Sequence, residues 1–281
     1  EAAEYCLAFE DALWSGRFAS DQQRLPSADP VPPPSACRRS HAPFTIQLAT
    51  PALAALYERD ASHCVRGLRL MEYVLAHHVN LRGRRADLRV HDFWEYVDDH
   101  GRPLVENGRL VSDPGHALEF VGLGLKLTRT ARTLGMSADA LAPYEAPMPG
   151  ILLCSFQLGY NRRAGGIRKQ IDLLTRRPVD DTMPWWSLPE TMRAAILCWS
   201  VTPDEGLRDQ TLAVFAACHN SFVKHYVQPE RHLFAVQNRS SDGRVIDVIP
   251  ATSDADPGYH TGLSLLDVFD VVEEATGSLE V

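Results

Sequence analysis

The stretch Asp113-Pro114-Gly115-His116-Ala117-Leu118-Glu119-Phe120 opens an apolar helix and puts a histidine in its first turn. A nearly matching phrase returns at Asp256-Pro257-Gly258-Tyr259-His260. Aspartate suits the N-cap and proline the first helical position. A histidine so placed points toward whatever lies beyond the helix end. The positive end of the helix dipole favours its neutral form, which can act as a base near pH 7. Two such histidines imply a repeated architecture with a site at one end.

Working outward, helical periodicity dominates. It predicts helices over 2–15, 45–59, 61–79, 115–134, 142–161, 188–202, 205–226 and 258–275. Short stretches of strand character lie between them, at 90–97, 167–174 and 233–236, each followed by turn residues. One set of helix starts falls near 43, 114, 186 and 257, a repeat of about 70 residues. Helices at these starts are apolar nearly all round, as in Phe120-Val121-Gly122-Leu123-Gly124-Leu125, and so are buried by neighbours on all sides. Their partners are more amphipathic, as in Val65-Arg66-Gly67-Leu68-Arg69-Leu70-Met71-Glu72. The pattern predicts an all-α fold: an inner ring of helices wrapped by an outer ring, a toroid of the (α/α)6 type. About four of its six hairpins fit into this length, with short β-ribbons in the loops. An irregular helical bundle is the alternative. Residues 20–43 read as a polar, proline-rich loop within a single domain spanning 1–281.

Composition narrows the function classes. With 45% hydrophobic and 23% charged residues, the 281-residue chain has the makings of a real core. A net charge of −8 with no basic run argues against nucleic acid as a partner. No apolar run reaches about 18 residues, so no membrane partner is expected. Cys6, Cys37, Cys64, Cys154, Cys198 and Cys218 form no CxxC pair and read as free thiols of a reducing, cytoplasmic compartment. The expected metal content is none and the expected cofactor is none: HExxH, Cys/His zinc spacing, a P-loop, a dinucleotide fingerprint and a GxSxG elbow are all missing.

Three inner-helix starts carry distinctive residues. Glu119 follows His116 by three positions and shares its helix face. Met183-Pro184-Trp185-Trp186-Ser187-Leu188-Pro189-Glu190 contains an S-x-x-E pattern, which predicts a capping box formed by Ser187 and Glu190. The adjacent Trp185 and Trp186 offer an aromatic platform for the apolar face of a sugar ring. His260 gains weight from its equivalence to His116. His77, His78, His219 and His225 lack spacing for a joint role.

These residues resemble the N-acylglucosamine 2-epimerase superfamily of sugar epimerases and aldose–ketose isomerases. Its P-G-H-x-x-E-W-like phrase is matched by Pro114 to Phe120, with phenylalanine for tryptophan. Its W-W-x-x-x-E phrase is matched by Trp185 to Glu190, and its late histidine by His260. The Gly165-Gly166 and Asp242-Gly243 turns also fit, and the resemblance spans about residues 40–275. Two departures stand out. The family's barrel has six hairpins, so the missing part would be N-terminal, where the family carries a substrate-binding arginine. The N-x-H phrase on the preceding inner helix corresponds to Thr45-Ile46-Gln47, with Gln47 standing for that histidine.

The resemblance implies proton transfer at C2 of an open-chain sugar through an enediolate. His116 and His260 would be the catalytic pair, partly exposed at a shared rim. Glu119 and Glu190 would orient histidines or bind hydroxyls, Trp185 and Trp186 would stack on the ring, and Gln47 would join the substrate site. A mono- or disaccharide is the implied partner, and a homodimer is compatible with the family. Epimerisation and aldose–ketose isomerisation stay open. So do a glycoside hydrolase using Glu119, Glu190, Asp180 or Asp181 and a non-catalytic carbohydrate- or protein-binding remnant.

Overall fold

The computed structural model describes residues 2–15, 38–227, 236–246 and 258–277. Ten α-helices occur among them: α1 (Ala2–Trp14), α2 (Ala42–Ile46), α3 (Ala49–Glu58), α4 (Ser62–His77), α5 (Pro114–Thr133), α6 (Ala138–Glu145), α7 (Met148–Gly159), α8 (Ser187–Val201), α9 (Glu205–His225) and α10 (Gly262–Thr276). The short strands are β1 (Arg39–Ser40), β2 (Tyr96–Val97), β3 (Val111–Ser112), β4 (Tyr160–Asn161), β5 (Gly166–Ile167), β6 (Gln170–Asp172), β7 (Arg177–Asp180), β8 (Met183–Pro184) and β9 (Asn238–Arg239). All pairings are antiparallel: β1 with β2, β4 with β5, β8 with β9, and β6 between β3 and β7.

The core is a row of inner helices in the order α3, α5, α8, α10, each packed on the next. Behind the row, α4 pairs with α3, α7 with α5 and α9 with α8. The fold is therefore a mostly helical, toroid-type arrangement. Among the described residues it comprises three complete inner–outer pairs plus a fourth inner helix, and the ring is not closed. α5 shows why the inner row forms. Asp113 caps it by accepting from the Gly115 and His116 amides, Pro114 fills the first position, and residues 117–125 are buried on every face. Gly122 permits the close approach of α8, because a Cβ there would lie 2.9 Å from Arg193 Nε.

Some expectations need correction. The 142–161 helix is two helices, α6 and α7, broken where Pro147 and Pro149 interrupt the backbone hydrogen bonds. Of 90–97, only Tyr96–Val97 is a strand. The last inner helix starts at Gly262, so His260 sits in the turn before it and not in its first turn. Asp256 and Pro257, most of the 20–43 loop, Cys37 and residues 233–235 lie outside the described residues. Cys64, Cys198 and Cys218 are buried free thiols and Cys154 is a half-buried one. No described helix is long and apolar enough to cross a membrane.

Apolar side chains remain exposed at both ends of the row: Leu53, Leu56 and Tyr57 on α3, Leu266 and Phe269 on α10. This contrast yields a first prediction. Leu125→Ala, at a site with 0% exposure, should lower the unfolding free energy by about 2–5 kcal/mol in urea titration. Phe269→Ala, at 64% exposure, should change it by no more than about 0.5 kcal/mol.

Candidate functional site

The N-terminal ends of the inner helices bring two clusters of histidine and carboxylate together. In the first, His116 at the start of α5 meets Glu95, which precedes β2. His116 Nδ1 lies 3.0 and 3.2 Å from the two Glu95 oxygens. His41, just before α2, places Nε2 3.1 Å from Glu95 Oε2, while its Nδ1 is 3.0 Å from Thr45 Oγ1. Glu95 is set by buried neighbours, Phe93, Trp94 and Val97, and by its amide donating to the Val111 carbonyl. His78 closes the back of the cluster with its ring 5.3 Å from that of His41. Burial pushes the His78 imidazole down to about 3, so it stays neutral.

Electrostatics follow from burial. Burial would raise the Glu95 carboxyl, but His116 and His41, by charge and by hydrogen bonding, hold it well below the usual carboxylate range. Burial would lower the His116 imidazole, but Asp113 and Glu95 outweigh it and hold it above its ordinary value, with Lys169 opposing. The helix dipole was expected to favour neutral His116; two carboxylates reverse that sign. Lys169 places Nζ 2.6 Å from Asp113 Oδ2 and 5.2 Å from the Trp186 ring centre.

The second cluster centres on His260, whose Nδ1 is 2.9 Å from Glu190 Oε1 and 3.9 Å from Glu119 Oε1. The other Glu190 oxygen pairs with Arg193 one turn along α8. Arg193 is also 3.5 Å from Asp267 on α10, and Lys126 of α5 is 2.6 Å from the same carboxylate. This buried chain of charges locks α10 against α5 and α8. Burial, then the Glu190 carboxylate, raises the Glu119 carboxyl above its ordinary value, opposed by His260, His116 and Arg193. Glu119 thereby holds its proton more tightly than a free carboxyl. The Tyr259 hydroxyl is 3.5 Å from Glu119 Oε1.

Trp186 links the two clusters. Its ring centre is 5.4 Å from His116 at 26° and 5.1 Å from His260 at 31°. Both imidazoles thus lie against one indole. His116, Glu119, Trp186, Glu190 and His260 therefore meet in one place. Trp185 instead packs on the core, with its amide donating to the Gln237 carbonyl. Gln47 is buried at the C-terminal end of α2, while Ser40, His41 and Thr45 around α2 join the Glu95 cluster.

Three readings of the sequence change here. Ser187 and Glu190 form no capping box: Trp186 occupies the cap position, Ser187 Oγ donates to the Pro184 carbonyl, and Glu190 is drawn to Arg193 and His260. His116 is buried, at 6% exposure, and not a partly exposed rim residue. Glu119, though one turn from His116, turns toward His260, and the partner of His116 is Glu95. Glu95, His41, Lys169 and Arg193 were missed. Glu95 sits in a segment read as a ribbon, His41 at the edge of a polar loop, and Arg193 inside an apolar helix, so none carried a local signal of its role.

Each cluster has donors of the right type and spacing to hold a cation: His41, Glu95 and His116, or Glu119, Glu190 and His260, have atoms within 4.8 Å of one another. Within each cluster, a ring nitrogen and a carboxylate already satisfy each other at hydrogen-bond distance. That arrangement can hold a proton between ring and carboxylate in each cluster. Two imidazoles, each backed by a carboxylate and set around one aromatic surface, can serve as acid and base toward a small polar molecule.

No family model and no curated protein matches the sequence. Comparison with solved structures finds the same fold in sugar-processing enzymes. A D-mannose isomerase superposes with a TM-score of 0.61 at 14% identity, over 83% of this chain and 56% of that one. The cellobiose 2-epimerase from Spirochaeta thermophila DSM 6192 gives 0.65 at 11% identity, over 92% and 57%. That from Bacillus thermoamylovorans B4167 gives 0.57 at 12%, over 74% and 47%. The chain thus has the fold of sugar epimerases and isomerases, and it spans about half the length of these structures.

The buried Glu190–Arg193 pair sets a second prediction. Glu190→Ala should cost about 3–5 kcal/mol in chemical denaturation, because Arg193 is left buried without that partner. Loss of a helix cap alone would cost only about 0.5–2 kcal/mol. Replacing Arg193 by leucine in the same chain should recover part of the loss.

Proposed function

We propose that this protein is a carbohydrate 2-epimerase or aldose–ketose isomerase that moves a proton at C2 of an open-chain sugar. The observation that carries this reading is the contact of both His116 and His260 with Trp186, each histidine backed by its own carboxylate. The C2 proton becomes acidic only when the adjacent carbonyl can take up charge as an enediolate. One imidazole then acts as base and the other as acid, each at hydrogen-bond reach of the carbon or its oxygens. A proton on Nδ1 of His116, donated to Glu95, leaves the Nε2 lone pair as the base. On the other side, His260 donates from Nδ1 to Glu190, and its Nε2 exchanges protons with the substrate. Glu119, which holds its proton more tightly than a free carboxyl, donates to the oxygen on which charge develops. Trp186 offers the apolar face on which the carbon chain rests.

Return of the proton to the opposite face of C2 gives the epimer. Delivery to C1 by the same histidine gives the ketose. Hydrolysis is less well supported, because Glu190 is 0% exposed and already engaged by Arg193 and His260. The expected partner is a mono- or disaccharide, and the chemistry asks only for proton transfers and hydrogen-bond donors. Family likeness, and the reading of the thiols as reduced, support a cytoplasmic enzyme.

The test is solvent deuterium incorporation at C2 across a panel of aldoses, ketoses and N-acyl hexosamines, followed by NMR. Exchange is the expected result. Glycosidic cleavage without exchange would indicate a hydrolase, and binding without either would indicate a carbohydrate-binding protein. His116→Ala and His260→Ala should each slow exchange by about 10²–10⁴-fold. Because Asp113 and Glu95 hold His116 above the ordinary imidazole value, it is imidazolium, and useless as a base, at acidic pH. The rate should therefore fall as pH drops, with an inflection above that of a free histidine, and this limb should vanish in His116→Ala.

A further inference from the structure

We propose that Glu95 is a positioning residue that fixes which nitrogen of His116 carries the proton, with His41 holding the carboxylate in place. The inference rests on the reading of His116 as the proton-transfer group. It goes beyond that reading by assigning a role to a residue that would not touch the substrate.

The geometry is specific. Both oxygens of Glu95 face ring nitrogens: Oε1 lies 3.0 Å from His116 Nδ1, and Oε2 lies 3.1 Å from His41 Nε2. An ionised carboxylate only accepts, so it takes a proton from each ring at these nitrogens. His41 meets this demand with one proton on Nε2, while the Thr45 hydroxyl, 3.0 Å away, donates to its Nδ1. Ser40 Oγ, 3.4 Å from Oε1, adds a further donor. Glu95 is thus clamped from the α2 side and acts toward α5.

Asp113 is the other carboxylate near His116, at 3.5 Å. Its Oδ2 faces the same nitrogen, Nδ1, but from farther away than Glu95 Oε1. One of its oxygens accepts the Gly115 and His116 amides, and the other is held 2.6 Å from Lys169. Asp113 therefore supplies charge, and Glu95 supplies direction. With Nδ1–H committed to Glu95, neutral His116 has its lone pair on Nε2. The same logic orients a catalytic histidine wherever a buried carboxylate accepts from one ring nitrogen so that the other can act as base.

A purely structural role predicts something different. If Glu95 only filled space and satisfied hydrogen bonds, glutamine would serve nearly as well. Glutamine has one accepting oxygen and one donating nitrogen. It can accept from one histidine but must donate to the other, forcing one ring into the opposite tautomer. Glu95→Gln therefore changes proton placement without changing shape.

The experiment is long-range ¹H–¹⁵N NMR of the histidine rings, assigned through His116→Gln and His41→Gln, with kcat and KM measured in parallel. In the wild type, neutral His116 should show Nδ1 protonated and Nε2 unprotonated. Glu95→Gln should shift His116 or His41 toward the opposite tautomer and lower kcat on the order of 10²-fold or more, with KM changed by less than about threefold. Glu95→Asp should recover the wild-type tautomer and part of kcat. A wild-type His116 with its proton on Nε2 would overturn the proposal without need of any variant. So would a folded Glu95→Gln with both tautomers and kcat unchanged. If the tautomer behaves as expected while no sugar undergoes exchange, the assignment to Glu95 stands and the proposed activity falls.

Discussion

The structure turns on carboxylates sealed from water at the ends of apolar helices. A buried ionised group costs far more than a surface one unless it is paired and hydrogen-bonded. Glu95, at 2% exposure, meets that demand with two imidazoles from two different parts of the chain. Glu190, at 0%, meets it with Arg193 and His260. Each solution joins elements far apart in sequence: the entry to α2, the segment before β2, and the start of α5 in one cluster; α8 and the turn before α10 in the other. The apolar row of α3, α5, α8 and α10 supplies the driving force for compaction, but it says little about how the helix ends must align. The charge pairs make that alignment specific.

The two clusters are not equivalent, and their difference has chemical content. Two carboxylates act on His116, and its affinity for a proton rises. His260 faces a carboxylate whose second oxygen is already held by Arg193, and beside it Glu119 holds its proton more tightly than a free carboxyl. Environments that drive neighbouring titratable groups apart are what divide acid from base at a single site. Trp186 is in contact with both rings. A D-mannose isomerase and two cellobiose 2-epimerases share this fold.

Much of the helical frame was legible in the sequence because it is written in local signals. Asp113 and Pro114 announce the start of α5, and all-round apolarity announces its burial. His116 and Trp186 could be named in advance because they stand beside those helix starts, whereas Trp185 of the same phrase packs on the core. What could not be read was partnership. Glu119 has the right spacing to face His116, yet the stronger demand of the His260 cluster draws it away. Glu190 has the right spacing for a cap, yet a buried arginine on the same helix claims it. Glu95 and His41 are separated by more than fifty positions and meet only in three dimensions. Pairing of buried charges is a tertiary property, and no periodicity reports it.

In the proposed function, His116 and His260 flank one substrate carbon. A crystal structure of the protein with an acyclic hexitol bound, a mimic of the open-chain sugar, tests this arrangement. The expected result is C2 of the polyol against the Trp186 ring, with a ring nitrogen of each histidine within about 3.5 Å of C2 or the oxygens attached to C1 and C2. A polyol bound in contact with only one of the two histidines, or seated away from Trp186, would contradict it.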